Sequence, residues 1–200
     1  IGEHDWLTVD AFLGDYIHDL PRIPTADGTR LYLFLGSTLG NFDEREAIEF
    51  LRTLRSVIGM HDWFLLGVDR VKDVDVLRAA YNDAAGLTAE FNRNALHVIN
   101  RALAGEFDPQ AFAHRAEYNE SGARIEMYLD SLTPQIVRIR KLDMEVEFAE
   151  GEPILTEISR KFTRSAVEGL LEAGGFSLQR WFEPENRFFS LVLARPTGAA

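Results

Sequence analysis

Two short apolar runs, separated by one amphipathic stretch, constrain this chain more than anything else in it. Residues 30–36 read Arg-Leu-Tyr-Leu-Phe-Leu-Gly, and residues 61–69 read His-Asp-Trp-Phe-Leu-Leu-Gly-Val-Asp. Neither run alternates apolar with polar residues, so each is expected to be a parallel strand covered on both faces. Between them, Ala47, Ile48, Leu51, Leu54, Val57 and Ile58 fall at helical spacing over residues 43–58. Asn41 or Asp43 is placed to cap that helix, Glu44 and Glu46 suit its positive end, and Gly59 is expected to end it. A turn over residues 26–28 precedes the first strand. Strand, helix and strand with short connections make a βαβ unit, and hence an α/β fold.

Further along, residues 73–103 read as two helical pieces with a break at residues 83–86. Leu87, Phe91, Ala95, Leu96, Ile99 and Leu103 form a stripe on the second piece that is expected to pack into the core. The pattern then changes. Three short strands are expected at residues 123–131, 135–140 and 144–148, punctuated by Gly122, Pro134 and Lys141-Leu142-Asp143. Residues 114–148 are thus expected to form an antiparallel layer inserted into a frame made of residues 1–113 and 149–197. A helix over residues 164–173 ends at Gly174-Gly175, and strands at 176–182 and 187–195 form a terminal antiparallel hairpin. Residues 197–200 read as a frayed tail.

Composition narrows the function. Among 200 residues, 21 are Lys or Arg and 32 are Asp or Glu, a net charge of −11 that repels phosphate backbones and anionic lipid. Nucleic acid and membranes are therefore not the expected partners. With no cysteine, the chain has no disulfides, thiol nucleophiles or thiolate metal sites, which suits a cytoplasmic protein. The five histidines (His4, His18, His61, His97 and His114) lack metal-ligand spacing, so no metal is expected.

Four motifs carry candidate chemistry. Gly36-Ser37-Thr38-Leu39-Gly40-Asn41-Phe42 joins a strand to a helix, where α/β sheets bind ligands. Its glycines permit close approach and its polar side chains suit a carboxylate, but glycine and asparagine equally serve simple turns and caps. Gly14-Asp15-Tyr16 could hold an adenine by a carboxylate and a ring, or be a surface loop. Glu157 and Ser159, two apart, share one side of an extended chain and could clamp a polar ring with N–H groups such as imidazole. The same spacing also suits a solvent-facing row on an edge strand, or the approach to a helix capped by Thr163. The amide-rich stretch from Ala80 to Asn94 places Tyr81 at a helix boundary, where amides often serve as caps alone.

Taken together, these stretches resemble the S-adenosylmethionine-dependent L-histidine Nα-methyltransferases of ergothioneine biosynthesis. The likeness rests on Gly14-Asp15-Tyr16, on the segments from Phe34 to Phe42, Leu66 to Asp73 and Ala80 to Asn92, on Arg124-Ile125-Glu126-Met127, and on the segment from Leu155 to Phe162. It implies a Rossmann-like class I methyltransferase sheet lacking its first strands. It further implies that Asn41 and Tyr81 are the catalytic pair holding the α-amino and α-carboxylate groups of histidine. Gly36 would line the same place, Glu157 and Ser159 would bind the imidazole, and Met127 would form pocket wall. Asp15 and Tyr16 would contact the adenine of S-adenosylmethionine, although the family more usually has phenylalanine at the second position. The product would be trimethylhistidine (hercynine), the substrate a free amino acid, and a monomer the favoured state.

The family's Gly-rich turn, the acidic residue after it and a second pocket tyrosine are not found ahead of Asp15, and the chain begins at Ile1. The resemblance therefore covers the C-terminal two-thirds of the enzyme, and the 200-residue chain is expected to bind the donor poorly and to turn over little. Two other readings remain: a methyltransferase for another amino acid or amine, and a non-catalytic ligand-binding or partner module on the same fold.

Overall fold

A computed structural model describes residues 9–24 and 27–198. His4, Ile1, Ala26 in the first expected turn, and the last two residues lie outside that range.

The βαβ unit is present. Strands β1 (Leu31–Phe34) and β2 (Trp63–Asp69) pair in parallel, with Leu31 opposite Trp63 and Phe34 opposite Leu66. Helix α1 (Glu44–Val57) connects them. Its start is fixed by a reciprocal cap: Asp43 accepts from the Glu46 N–H at 2.8 Å, and Glu46 accepts from the Asp43 N–H at 2.8 Å. Helix α4 (Arg164–Ala173) is capped by Thr163, which accepts from the Ala166 N–H at 3.2 Å. The terminal hairpin forms as expected from β8 (Phe176–Phe182) and β9 (Phe189–Pro196). The sheet order is β1-β2-β9-β8, with β9 antiparallel to β2.

Helices α1 and α4 pack on one face of this sheet. Phe64, Leu66, Leu51, Val167 and Val192 are fully buried there. Each such side chain contributes roughly 1.5–3 kcal/mol relative to exposure. The other face differs from expectation. Leu31 and Leu33 are 54% and 57% exposed, because no element among the described residues packs over them. The end of α1 also differs. Ile58, in extended conformation, ends the helix, and the Gly59 N–H instead donates to the buried carboxylate of Asp62 at 2.9 Å.

A second body follows β2. Helices α2 (Val74–Tyr81) and α3 (Leu87–Leu103) lead into strands β3 (Phe112–Asn119), β4 (Arg124–Ser131), β5 (Gln135–Ile139), β6 (Met144–Phe148) and β7 (Pro153–Arg160). Strands β3-β4-β7 form one antiparallel sheet and β5-β6 a separate hairpin. The antiparallel part thus extends beyond the expected residues 114–148, taking in all of β3 and β7.

The apolar stripe of α3 is only half buried. Leu96 is buried with Phe107, Phe112 and Leu129, whereas Leu87 and Phe91 are 72% and 64% exposed. The reason is polar. Asn92, 3% exposed, takes the inward position and donates to the Tyr128 carbonyl at 3.0 Å and toward His114 at 2.9 Å. That choice turns Phe91, one residue earlier, toward solvent.

Candidate active site

The site begins where β1 ends. Gly36 and Ser37 both adopt left-handed backbone, at φ of 76° and 60°. For serine this conformation costs about 1 kcal/mol. Ser37 is tied down in return, its Oγ accepting from the Asp69 N–H at 2.8 Å. The double twist turns the chain into a short 3-10 segment, Thr38–Asn41. Gly40 lets this segment lie against β7: a Cβ there would sit 2.9 Å from the Arg160 carbonyl oxygen and 3.2 Å from its nitrogen. This contact carries Asn41 to the mouth of a cleft whose opposite wall is β7.

The cleft, of about 300 Å³, is lined by Gly36, Ser37, Thr38, Asn41, Asp69, Tyr81, Glu157, Ser159, Lys161 and Phe189. It lies beyond the carboxyl ends of β1 and β2, the usual place for a ligand in an open α/β sheet. Five of the residues singled out from sequence, Gly36, Asn41, Tyr81, Glu157 and Ser159, meet here.

At its floor lies a buried ammonium. The Lys161 side chain has no exposure and donates to Tyr81 Oη at 2.8 Å and to Ser159 Oγ at 2.8 Å, and it pairs with Asp69 at 2.9 Å. Three donors thus meet three acceptors, and an anion balances the charge, which is what makes such burial tolerable. Asp69 is held on its other oxygen by Lys72 at 2.6 Å. Tyr81 Oη and Ser159 Oγ also share a hydrogen bond of 2.9 Å.

Tyr81 is fixed from behind as well. Its carbonyl oxygen is 2.9 Å from His114 Nε2, and His114 Nδ1 is 2.9 Å from the amide nitrogen of Asn92. Because that amide can only donate, Nδ1 accepts and Nε2–H donates to Tyr81. Glu157 is half-buried, and burial raises its carboxyl above the usual range, partly offset by the Lys161 charge.

Met127 is placed differently from expectation. It lies opposite Glu157 in the β4–β7 register, is 2% exposed, and packs with Leu77, Ala116, Ile125 and Tyr81 behind the cleft rather than lining it. Asp15 and Tyr16 are not brought into this cleft either. They line a separate one of about 190 Å³ with Phe12, Gly14, Asp19, Leu20 and Ile23. There, one Asp15 oxygen accepts from the Ile17 N–H at 2.7 Å. The Tyr16 ring packs 5.6 Å from Phe34 and 6.3 Å from Phe42, leaving it 46% exposed.

Sequence reasoning gave no role to Asp69, Lys161 or Phe189. A signal existed for two of them. Lys161 continues the two-residue spacing of Glu157 and Ser159, and Asp69 is a charge at the end of an otherwise apolar strand.

A family profile described as histidine-specific, SAM-dependent methyltransferase matches residues 2–196 of this chain. The chain belongs to that family. Within curated proteins, it is 46% identical over 187 residues to the histidine N-alpha-methyltransferase of Mycolicibacterium smegmatis, covering 93% of this chain and 58% of that protein. It is 44% identical over 192 residues to the protein of the same name from Mycobacterium tuberculosis, covering 96% and 60%. The ergothioneine biosynthesis protein 1 of Schizosaccharomyces pombe is 31% identical over 167 residues, covering 82% of this chain and 21% of that protein. The chain thus spans 58–60% of the length of the two mycobacterial relatives in its family.

Proposed function

We propose that this site belongs to an enzyme that methylates the α-amino group of free L-histidine three times, giving trimethylhistidine (hercynine) for ergothioneine biosynthesis, with S-adenosylmethionine as donor. The carrying observation is the pairing across one cleft of a neutral amide, Asn41, with a carboxylate and a hydroxyl, Glu157 and Ser159. Those two walls match the two ends of histidine: an amino-acid head with donors and acceptors, and a ring that needs one of each.

The Asn41 carbonyl accepts from the α-amine while its NH₂ donates to the α-carboxylate. An amide suits this task because it stays neutral. A carboxylate against the amine would stabilise the ammonium and keep the lone pair from attacking. Tyr81 Oη offers a second, weak acceptor to the amine, and Gly36 brings backbone close to the head group. Glu157 accepts the ring N–H and Ser159 meets the other ring nitrogen. Met127, behind Tyr81, keeps that wall in place. The residues position rather than ionise, and alignment of this kind is itself worth several kcal/mol of barrier. Because Asn41 is at the exposed mouth, the head group has room for successive methyls and its protons have a path to water.

The residues of the smaller cleft fit the adenine end of the donor in kind. Asp15 keeps an oxygen outside its turn for an exocyclic N–H, and Tyr16 keeps an exposed ring face for stacking. When bound, S-adenosylmethionine supplies an electrophilic methyl on a sulfonium. The reading includes a cytoplasmic monomer acting without a metal on a small molecule. The net charge of −11 favours neither nucleic acid nor lipid as partner. No helix among the described residues is long and apolar enough to cross a membrane.

Methyl transfer by the full-length protein to histidine, tryptophan and tyrosine tests the reading. Histidine should be preferred and its product should carry three added methyl groups by mass. Preference for another amine would move the site to a relative with a different substrate. Histidine binding with no methyl transfer would leave a ligand-binding module.

A further inference from the structure

We propose that Lys161 is a positioning residue that sets the hydrogen-bond polarity of the ring-binding wall, forcing Ser159 to act as a donor only and so selecting a ring with an unprotonated nitrogen. The inference rests on the histidine reading above. It assigns a role to a buried cation that does not itself contact substrate.

The hydrogens and lone pairs around Lys161 fix the direction of each bond. Lys161 Nζ has three hydrogens and no lone pair, and its three partners are Tyr81 Oη, Ser159 Oγ and Asp69. Each hydroxyl therefore loses one lone pair to the ammonium. The two hydroxyls also bond to one another at 2.9 Å, which uses one of their two hydrogens. The direction of that bond follows from their chemistry. A phenol is the stronger donor, and its oxygen is the poorer double acceptor because one lone pair is delocalised into the ring. Serine accepts twice without penalty. Tyr81 therefore donates to Ser159. Ser159 Oγ then accepts from both Lys161 and Tyr81, has no lone pair left, and presents only its own hydrogen to the cleft.

Glu157, two residues away on the same side of β7, is an acceptor when ionised. The wall thus reads donor, then acceptor. A neutral imidazole, with one lone pair and one N–H, answers both. A pyrrole or indole, with an N–H and no lone pair, leaves the Ser159 hydrogen unpaired in a partly buried place, and that is where discrimination is strongest. Without the ammonium, Ser159 could turn its hydrogen onto Tyr81 and accept from the ligand instead, so the wall would lose its polarity. Asp69, itself held by Lys72, keeps the ammonium pointed at the two hydroxyls.

The test compares histidine with the 2- and 3-pyrrolylalanines, which keep one ring N–H and no ring lone pair, using the full-length protein. The wild type should favour histidine over both by at least 100-fold in kcat/KM. In Lys161→Met that ratio should fall at least tenfold. KM for histidine should rise, with KM for the donor unchanged. A purely structural lysine would weaken histidine and the analogues alike and leave the ratio where it was, and that result overturns the proposal. Tyr81→Phe gives a second measurement with Lys161 in place. It returns a lone pair to Ser159, so the ratio should fall there too, and an unchanged ratio again overturns the proposal. The underlying substrate reading is decided separately, by whether the wild type prefers histidine to tryptophan.

Discussion

Glu157 sits where its charge is unwelcome without a ligand. Burial raises its carboxyl above the ordinary value near 4.5, and the Lys161 charge offsets this only in part. A carboxyl raised in the folded state binds its proton more tightly there than in the unfolded chain. Stability is therefore lost as pH rises from the unfolded value through the folded one. Above that window the ionised group awaits a ring N–H. Glu157→Gln should accordingly raise the melting temperature of the ligand-free protein at neutral pH while raising KM for histidine about tenfold, since a hydrogen bond to a charged acceptor becomes one to a neutral amide. Thermal melts and kinetics across pH 4–8 check both halves, and a Gln variant no more stable than wild type at pH 7 would contradict this account. At this scale the sequence was partly readable. Period two placed Glu157 and Ser159 together, and the same rule reaches Lys161, but nothing local shows that Lys161 meets Tyr81 eighty residues away. Met127 shows the opposite limit: its register opposite Glu157 is right for a wall residue, yet Leu77 and Tyr81 cover it.

Elements whose ends carry their own chemistry were legible, and elements held by partners were not. Helices α1 and α4 begin at Asp43 and Thr163 as capping rules require, and β8 follows Gly174-Gly175. Strand β3 escaped notice because its buried positions, Phe112 and Ala116, are four apart. The residues between are matched by β4, as where Arg115 grips Asp130 at 2.6 and 2.8 Å. The turn after β1 was legible as a place but not as a shape, since its position depends on β7. Gly40→Ala tests that dependence. The new Cβ would meet backbone rather than a flexible side chain, so the Thr38–Asn41 turn must move away from β7 and take Asn41 with it. A displacement of that order at a reacting head group should lower kcat by about 10- to 100-fold, and overpacking should cost about 1–3 kcal/mol of stability. Wild-type kcat in Gly40→Ala would show that this contact does not set the site.

The described residues form three sheets with unequal cover. Strand β2 lies between β1 and β9, with Phe64, Leu66 and Val68 fully buried, whereas β5 and β6 pair with each other and, through a single bridge at Ile139, with Gly105, and leave Ile136 62% and Met144 47% exposed. Native-state hydrogen exchange should therefore find the slowest amides in β2 and much faster ones in β5 and β6. Equal protection in the two places would mean that the bodies open as one. The open side of β1 was not foreseeable from its composition, because an uninterrupted apolar run reads the same whether or not something packs on it. The two bodies meet at the cleft through the Gly40–Arg160 backbone contact and the buried Lys161–Asp69 pair. Asn41 travels with one body and Glu157 with the other. The span between a substrate's α-carbon and its ring is then gauged by how the two bodies are bolted together, not by any single side chain. Ring chemistry can be rewritten on β7 by point substitution, while the number of methylenes between head and ring is written into the architecture.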